Sequence, residues 1–346
     1  MCNIAGYAGN RQAVSVLLEM LRRQQPYDGD MSTGVATIHE GKLHCRKIVG
    51  DVDTLIRETD VLDMPGTIGI AHTRPGGRKE FVPMHPNISR NGTMALVTNG
   101  TTPYTKYSQG WSEAADLLDK AGFRFVHEGE SKTAKAPRLS RNGNHVSPAE
   151  ARVFLVEYYM EQGKTVTEAM ALACAHMYSD NVTVLITQKY PDDIFALRTT
   201  RPLTVAMEGG ETYLATTRFG MPEGLGERAQ DLPLFHACRI GREGITVTAD
   251  KMDMEPVAEM TPYTYAEGYR RFEALLQSDK APLHFDQLEL AADKMRDLWE
   301  GDHTCVQHAR LVYDLLWQFD REGRLQREMR EQQVKDGVRH RWYFSL

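Results

Sequence analysis

Four segments of strand period follow one another between Val182 and Thr217: VTVLIT, DIFALR, PLTVAM and TYLATT, divided by the turn-forming YPDD and EGGE. Two helical patterns stand in succession before them, and another set of short strands stands before those. Strands, two consecutive helices, then strands again is an α+β order. It predicts sheets that pack on each other, with helices covering the outside.

The flanking elements follow from the same periods. Ala13, Val14, Leu17, Leu18 and Leu21 share one helical face. Short strands are expected at 32–38, 43–49, 67–72 and 93–98, and a helix at 112–120. Ser147 at an N-cap, Pro148 behind it and Glu150 three residues after the cap start a helix that Gly163 ends. A second helix covers 166–177, and a strand at 244–247 closes the domain near residue 250. Residues 127–145 are almost devoid of apolar side chains and read as a solvated loop. The stretch 251–346 differs: helices are expected at 265–276, 285–298 and 304–319, then a highly charged helix and a last aromatic strand, RWYFSL. The chain thus divides into a domain at 1–250 and a mostly helical extension at 251–346.

A net charge of −6 gives no electrostatic ground for a nucleic-acid partner. The five cysteines are scattered, with no CxxC pair, so neither a zinc ribbon nor a disulfide framework is indicated. No metal site is expected: HTCVQH, with His303, Cys305 and His308, lacks a recurrent zinc spacing and reads as a helix-start cluster. No apolar run is long enough for a bilayer and no leader pattern precedes Cys2, so the expectation is a cytoplasmic protein.

Cys2 follows the initiator Met1 at the mouth of the apolar strand NIAGYA. Once Met1 is removed, thiol and α-amine share one residue. The amine, titrating at about 7.7–8.0, then serves as the base that a cysteine nucleophile requires. No convincing Cys/His or Ser/His/Asp pair appears elsewhere. Two further patches carry chemistry. In GTIGIAHTRPGG a strand delivers Thr73 and Arg74 beside Gly76 and Gly77, a fit for a carboxylate. In MALVTNGTTPY, Asn99 and Gly100 close a strand and could hold an oxyanion, or could form a hairpin turn.

Together these patches resemble class II glutamine amidotransferases. MCNIAGY is similar to their MCGI-x-GY start, GIAHTR to their GIGHTR strand, and TNG to their H/N-N-G signature. FLVEYYMEQGKTVTEAM and DIFALRTTRPLTVAM…TYLATT are similar to the glutaminase domain of glucosamine-phosphate synthases. The resemblance spans 2 to about 250. It implies a four-layer α-β-β-α sandwich of the N-terminal-nucleophile (Ntn) hydrolase type, working without a cofactor. It implies Cys2 as nucleophile on the glutamine amide, Asn99 and the Gly100 N–H as oxyanion hole, and Arg74 on the substrate carboxylate.

The chain departs from that pattern in places. QQPYDGD stands where the family has RGYDS, and Pro75-Gly76-Gly77 where the sugar-synthase type has Trp-Ala-Thr. Pro148 occupies the place of the aspartate that holds the substrate ammonium; Glu128 or Glu130 could substitute. The sugar-isomerase region is missing, and no Gly-rich phosphate loop is present. Ammonia made here would therefore pass to an acceptor on a separate synthase subunit. An amidase for a different amide, and a non-catalytic regulatory protein that keeps the fold, are the rival readings. Assembly into a homo-oligomer is left open.

Overall fold

The computed structural model describes residues 2–75, 84–100, 108–129, 145–253, 258, 260–299, 306–334 and 337–346. The chain begins β1 (Asn3–Ala8), α1 (Ala13–Gln24), β2 (Ser32–His39), β3 (Lys42–Ile48), α2 (Val52–Glu58), β4 (Ile68–Arg74), β5 (Asn87–Ile88), β6 (Met94–Asn99) and α3 (Ser108–Lys120). It continues through β7 (Glu128–Gly129), β8 (His145–Val146), α4 (Pro148–Glu161), α5 (Val166–His176), β9 (Val182–Thr187), β10 (Tyr190–Arg198), β11 (Thr204–Glu208), β12 (Glu211–Ala215), β13 (Gln230–Asp231), β14 (His236–Gly241) and β15 (Gly244–Lys251). The last part holds α6 (Pro262–Leu276), β16 (Leu283–His284), α7 (Phe285–Lys294), α8 (His308–Arg321), β17 (Gln326–Val334) and β18 (Gly337–Ser345).

Two antiparallel sheets form the centre. One has the order β13-β11-β12-β1-β4-β2-β3, the other β15-β14-β10-β9-β6-β5. Strand alternation sorts their side chains. Ile4 and Ala8 of β1 point into the layer between the sheets, with Ile70, Val97, Val184 and Leu214. Ala5 and Tyr7 point outward, into the cluster that holds Leu17 and Leu21 of α1. On the far side Val153 of α4 and Met170 of α5 share a core with Leu185 of β9, so that the two helices cover the second sheet. The result is the expected α-β-β-α sandwich.

This topology gathers distant positions at one end. β1 lies between β12 and β4, with Asn3 opposite Thr73. In the facing sheet, Asn99 ends β6 opposite Val182.

The C-terminal part has its own apolar cluster, including Phe272, Phe285, Leu311, Phe319 and Phe344, and Tyr27 enters it from the loop after α1. The Tyr27 ring stacks at 4.9 Å on Phe219 and 5.6 Å on Phe344. One expectation is corrected here. The charged segment after α8 is a strand, not a helix: β17 pairs with β18 from Gln326↔Ser345 to Val334↔Gly337. Gln, Arg, Glu and Met favour helix locally, but a nine-residue partner strand with Arg330 over the Tyr343 ring outweighs that weak preference.

Candidate functional site

Cys2 stands half-buried one residue before β1. The strand start behind it is fastened on both sides. The Ile4 N–H donates to Thr216 Oγ1 at 2.8 Å, and buried Gln24 donates through Nε2 to the Ile4 carbonyl at 3.1 Å. Gln24 Oε1 in turn accepts from the Thr216 N–H at 3.1 Å. Asn3 Nδ2 donates to Thr73 Oγ1 at 3.0 Å and to the Asp28 carbonyl. A side chain carried on so fully bonded a strand is held to a narrow range of positions.

Asn99 is fully buried, and its Nδ2 donates to the Cys2 carbonyl at 2.7 Å and to Thr216 Oγ1 at 3.1 Å. Gly100 has φ +72°, and a Cβ there would sit 1.7 Å from the Asp180 carbonyl oxygen. That position therefore admits glycine alone, and the close approach explains its backbone better than a hairpin does.

Thr73 and Arg74 end β4, and the Met31 N–H donates to the Arg74 carbonyl at 2.9 Å. Gly76 and Gly77 lie outside the described residues, as does Glu130. Glu128 is placed by its backbone, which pairs with Val146 in β7–β8. Pro148 is the first residue of α4, behind the Ser147 cap. The Glu150 N–H donates to Ser147 Oγ at 3.4 Å. The Glu150 carboxylate accepts from the N–H groups of Val126 at 2.8 Å and His127 at 2.9 Å. Burial works against its charge, yet His127 and these two N–H groups hold it below the ordinary carboxylate range. Its stabilising effect is present above that range and is lost as pH falls through the depressed value. Glu150→Gln is accordingly expected to cost about 1–2 kcal/mol at neutral pH, and to converge with the parent protein in acid. Melting curves across pH check this.

Burial pushes the Cys2 thiol above its usual range, while the guanidinium groups of Arg74 and Arg201 oppose that shift. Arg201 was not singled out by sequence reasoning. It is partly buried, with Nε 2.9 Å from Asp180 Oδ2 and a second ion pair to Glu289 of α7. The only sequence signal was a polar run, RTTR, at the end of β10. His72 and His85 stack with ring centroids 4.1 Å apart. Burial, with Arg74 adding to it, takes His72 down to about 3, and His85 is also well below its usual value through burial. This pair is neutral packing beside the site. His308 of the HTCVQH run meets Glu289 at 3.1 Å, whereas His303 and Cys305 lie outside the described residues. Among the described residues no group of three or more His, Cys, Asp or Glu could hold a metal ion, and no helix is long and apolar enough to cross a membrane.

No family model matches the chain. Curated relatives do. The glutamine–fructose-6-phosphate aminotransferase of Caldanaerobacter subterraneus subsp. tengcongensis is 29% identical over 218 residues, 62% of this chain and 31% of that protein. The enzyme of the same name from Corynebacterium diphtheriae is 30% identical over 226 residues, 62% of this chain and 32% of its own length. The chain thus spans about a third of the length of the curated relatives it matches. Among solved structures, the glutamine phosphoribosylpyrophosphate amidotransferase of B. subtilis, complexed with ADP and GMP, aligns with a TM-score of 0.57 at 17% identity. That alignment covers 76% of this chain and 52% of the other. The likeness is one of fold, the sandwich of two sheets between helices.

Proposed function

We propose that this relative of the class II glutamine amidotransferases is itself a glutaminase, with Cys2 as its nucleophile. With Met1 removed, the Cys2 amine takes the thiol proton, and the thiolate attacks the side-chain amide carbon of glutamine. The developing oxyanion is met by Asn99 Nδ2 and the Gly100 N–H. Because Nδ2 now bonds the Cys2 carbonyl and Thr216, oxyanion binding exchanges one of these contacts for the substrate oxygen. The amine returns its proton to the departing nitrogen, ammonia leaves, and water cleaves the glutamyl thioester to glutamate. Arg74 holds the substrate α-carboxylate, with Thr73 beside it. Glu128 serves the ammonium that Pro148 cannot.

One observation carries this reading: β1 and β6, from two different sheets, bring the Asn99 amide within 2.7 Å of the Cys2 backbone. That the curated relatives are aminotransferases supports an acceptor for the ammonia released, which we assign to a separate synthase subunit. Pro148 at the head of α4 favours one alternative, an amidase for an amide without a free α-ammonium.

Intact mass before and after exposure to a glutamine-like diazo ketone tests the proposal. The expected result is loss of Met1 and a single adduct, blocked by glutamine. Retained Met1, or no adduct on the trimmed chain, would defeat the reading. An adduct that glutamine does not block, together with hydrolysis of other amides, would favour the alternative.

A further inference from the structure

The loop after α1 lies between the site and the C-terminal part. At Gly29, φ is +122° and a Cβ would meet Asn3 Nδ2 and Thr73 Oγ1, each at 2.7 Å. One side of this loop therefore packs on the strand start and on β4. Its other side is charged. The buried Asp28 carboxylate is bonded by Arg339 and, at 2.7 Å, by Arg341, both from β18 and both buried. Asp30 accepts from Arg339 Nε at 2.8 Å and from the His340 N–H at 3.0 Å. Arg341 also reaches Asp286 of α7 at 2.9 Å.

A second ionic cluster lies under the oxyanion loop. The Asp180 carbonyl is the atom that excludes a side chain at Gly100, and the Asp180 carboxylate grips Arg201. The far side of Arg201 is held by Glu289 of α7, which His308 of α8 also contacts. The first cluster sets the buried Asp28 carboxylate on the sandwich side against arginines from the C-terminal side; the second shares the partly buried Arg201 between Asp180 on the sandwich side and Glu289 on the C-terminal side. Buried charge left without its partner moves toward water or neutralises, and its loop moves with it.

We propose that the C-terminal part completes the amidase site, with Arg339, Arg341 and Glu289 as positioning residues. Arg339 and Arg341 act through Asp28 on Asn3, Thr73 and Arg74. Glu289 acts through Arg201 and Asp180 on the Gly100 N–H. None touches the substrate. The two arms have different kinetic signatures, because one leads to the carboxylate clamp and the other to the oxyanion hole. This inference rests on the glutaminase reading for the reaction being positioned.

The test uses the full chain with Arg341→Gln, Arg341→Lys and Glu289→Gln. Glutamine turnover is referred to active sites titrated with the diazo ketone, and Cys2 alkylation by iodoacetamide is followed separately. Arg341→Gln is expected to raise KM and lower kcat/KM by roughly 10- to 100-fold, the scale of a small misplacement of reacting groups. Arg341→Lys recovers part of that loss. Glu289→Gln lowers kcat and leaves KM nearly unchanged. A merely structural role would reduce the titrated fraction without moving KM or kcat per site. Unchanged constants per site in both glutamine variants would overturn the proposal. If the parent chain does not hydrolyse glutamine, the glutaminase reading fails by itself. The alkylation rates still decide the positioning role: a several-fold change in Arg341→Gln supports it, and identical rates in all variants overturn it.

Discussion

Cys2→Ala is expected to lower glutamine hydrolysis by roughly a thousandfold or more, the scale on which loss of a nucleophile is felt, while the fold persists. The side chain is half-buried and stands ahead of β1, whose attachments run through Asn3, Ile4, Thr216 and Gln24 and not through the thiol. Thermal stability should therefore change by about 1 kcal/mol at most. Ammonia release and melting temperature, measured on one preparation, separate the two effects. Turnover in Cys2→Ala within tenfold of the parent would mean that another group attacks the amide.

Asn99→Ala is expected to lower kcat by about 10²- to 10³-fold with a smaller change in KM, because an oxyanion donor acts chiefly in the transition state. A structural cost accompanies this, since the Cys2 carbonyl and Thr216 each lose a buried partner. That cost is about 1–3 kcal/mol. Asn99→Asp keeps the shape but puts a carboxylate where negative charge develops, so its kcat should fall at least as far. If Asn99→Ala keeps kcat within tenfold, the Gly100 N–H alone serves the oxyanion, and Asn99 is a fastening for the chain start.

The sandwich and the three patches were legible because they are local. Ile4, Ala5 and Tyr7 alternate within six residues, and Arg74 and Asn99 each end a strand whose period is plain in the sequence. The clasp residues were not legible. Asp28 and Arg339 lie 311 positions apart, and Arg201 and Glu289 lie 88 apart. Each reads alone as an ordinary surface charge, and no period links it to its partner. β17 was misread for a related reason. Its residues favour helix, and the strand exists only through pairing with β18. Glu150 fits the capping-box pattern, yet its carboxylate serves Val126 and His127, N–H groups that only the folded loop brings near.

The clasp on Asp28 also sets a schedule. β1 is made first and is still a central strand, so it waits for β4 and then for β12 before both its edges are paired. The guanidinium groups that close over Asp28 emerge from the ribosome more than three hundred positions after it. Contacts of such long range form slowly and late. A nascent chain therefore carries the Cys2 strand start without its clasp through most of synthesis, and the strand start is clamped only when the last hairpin has folded onto the rest.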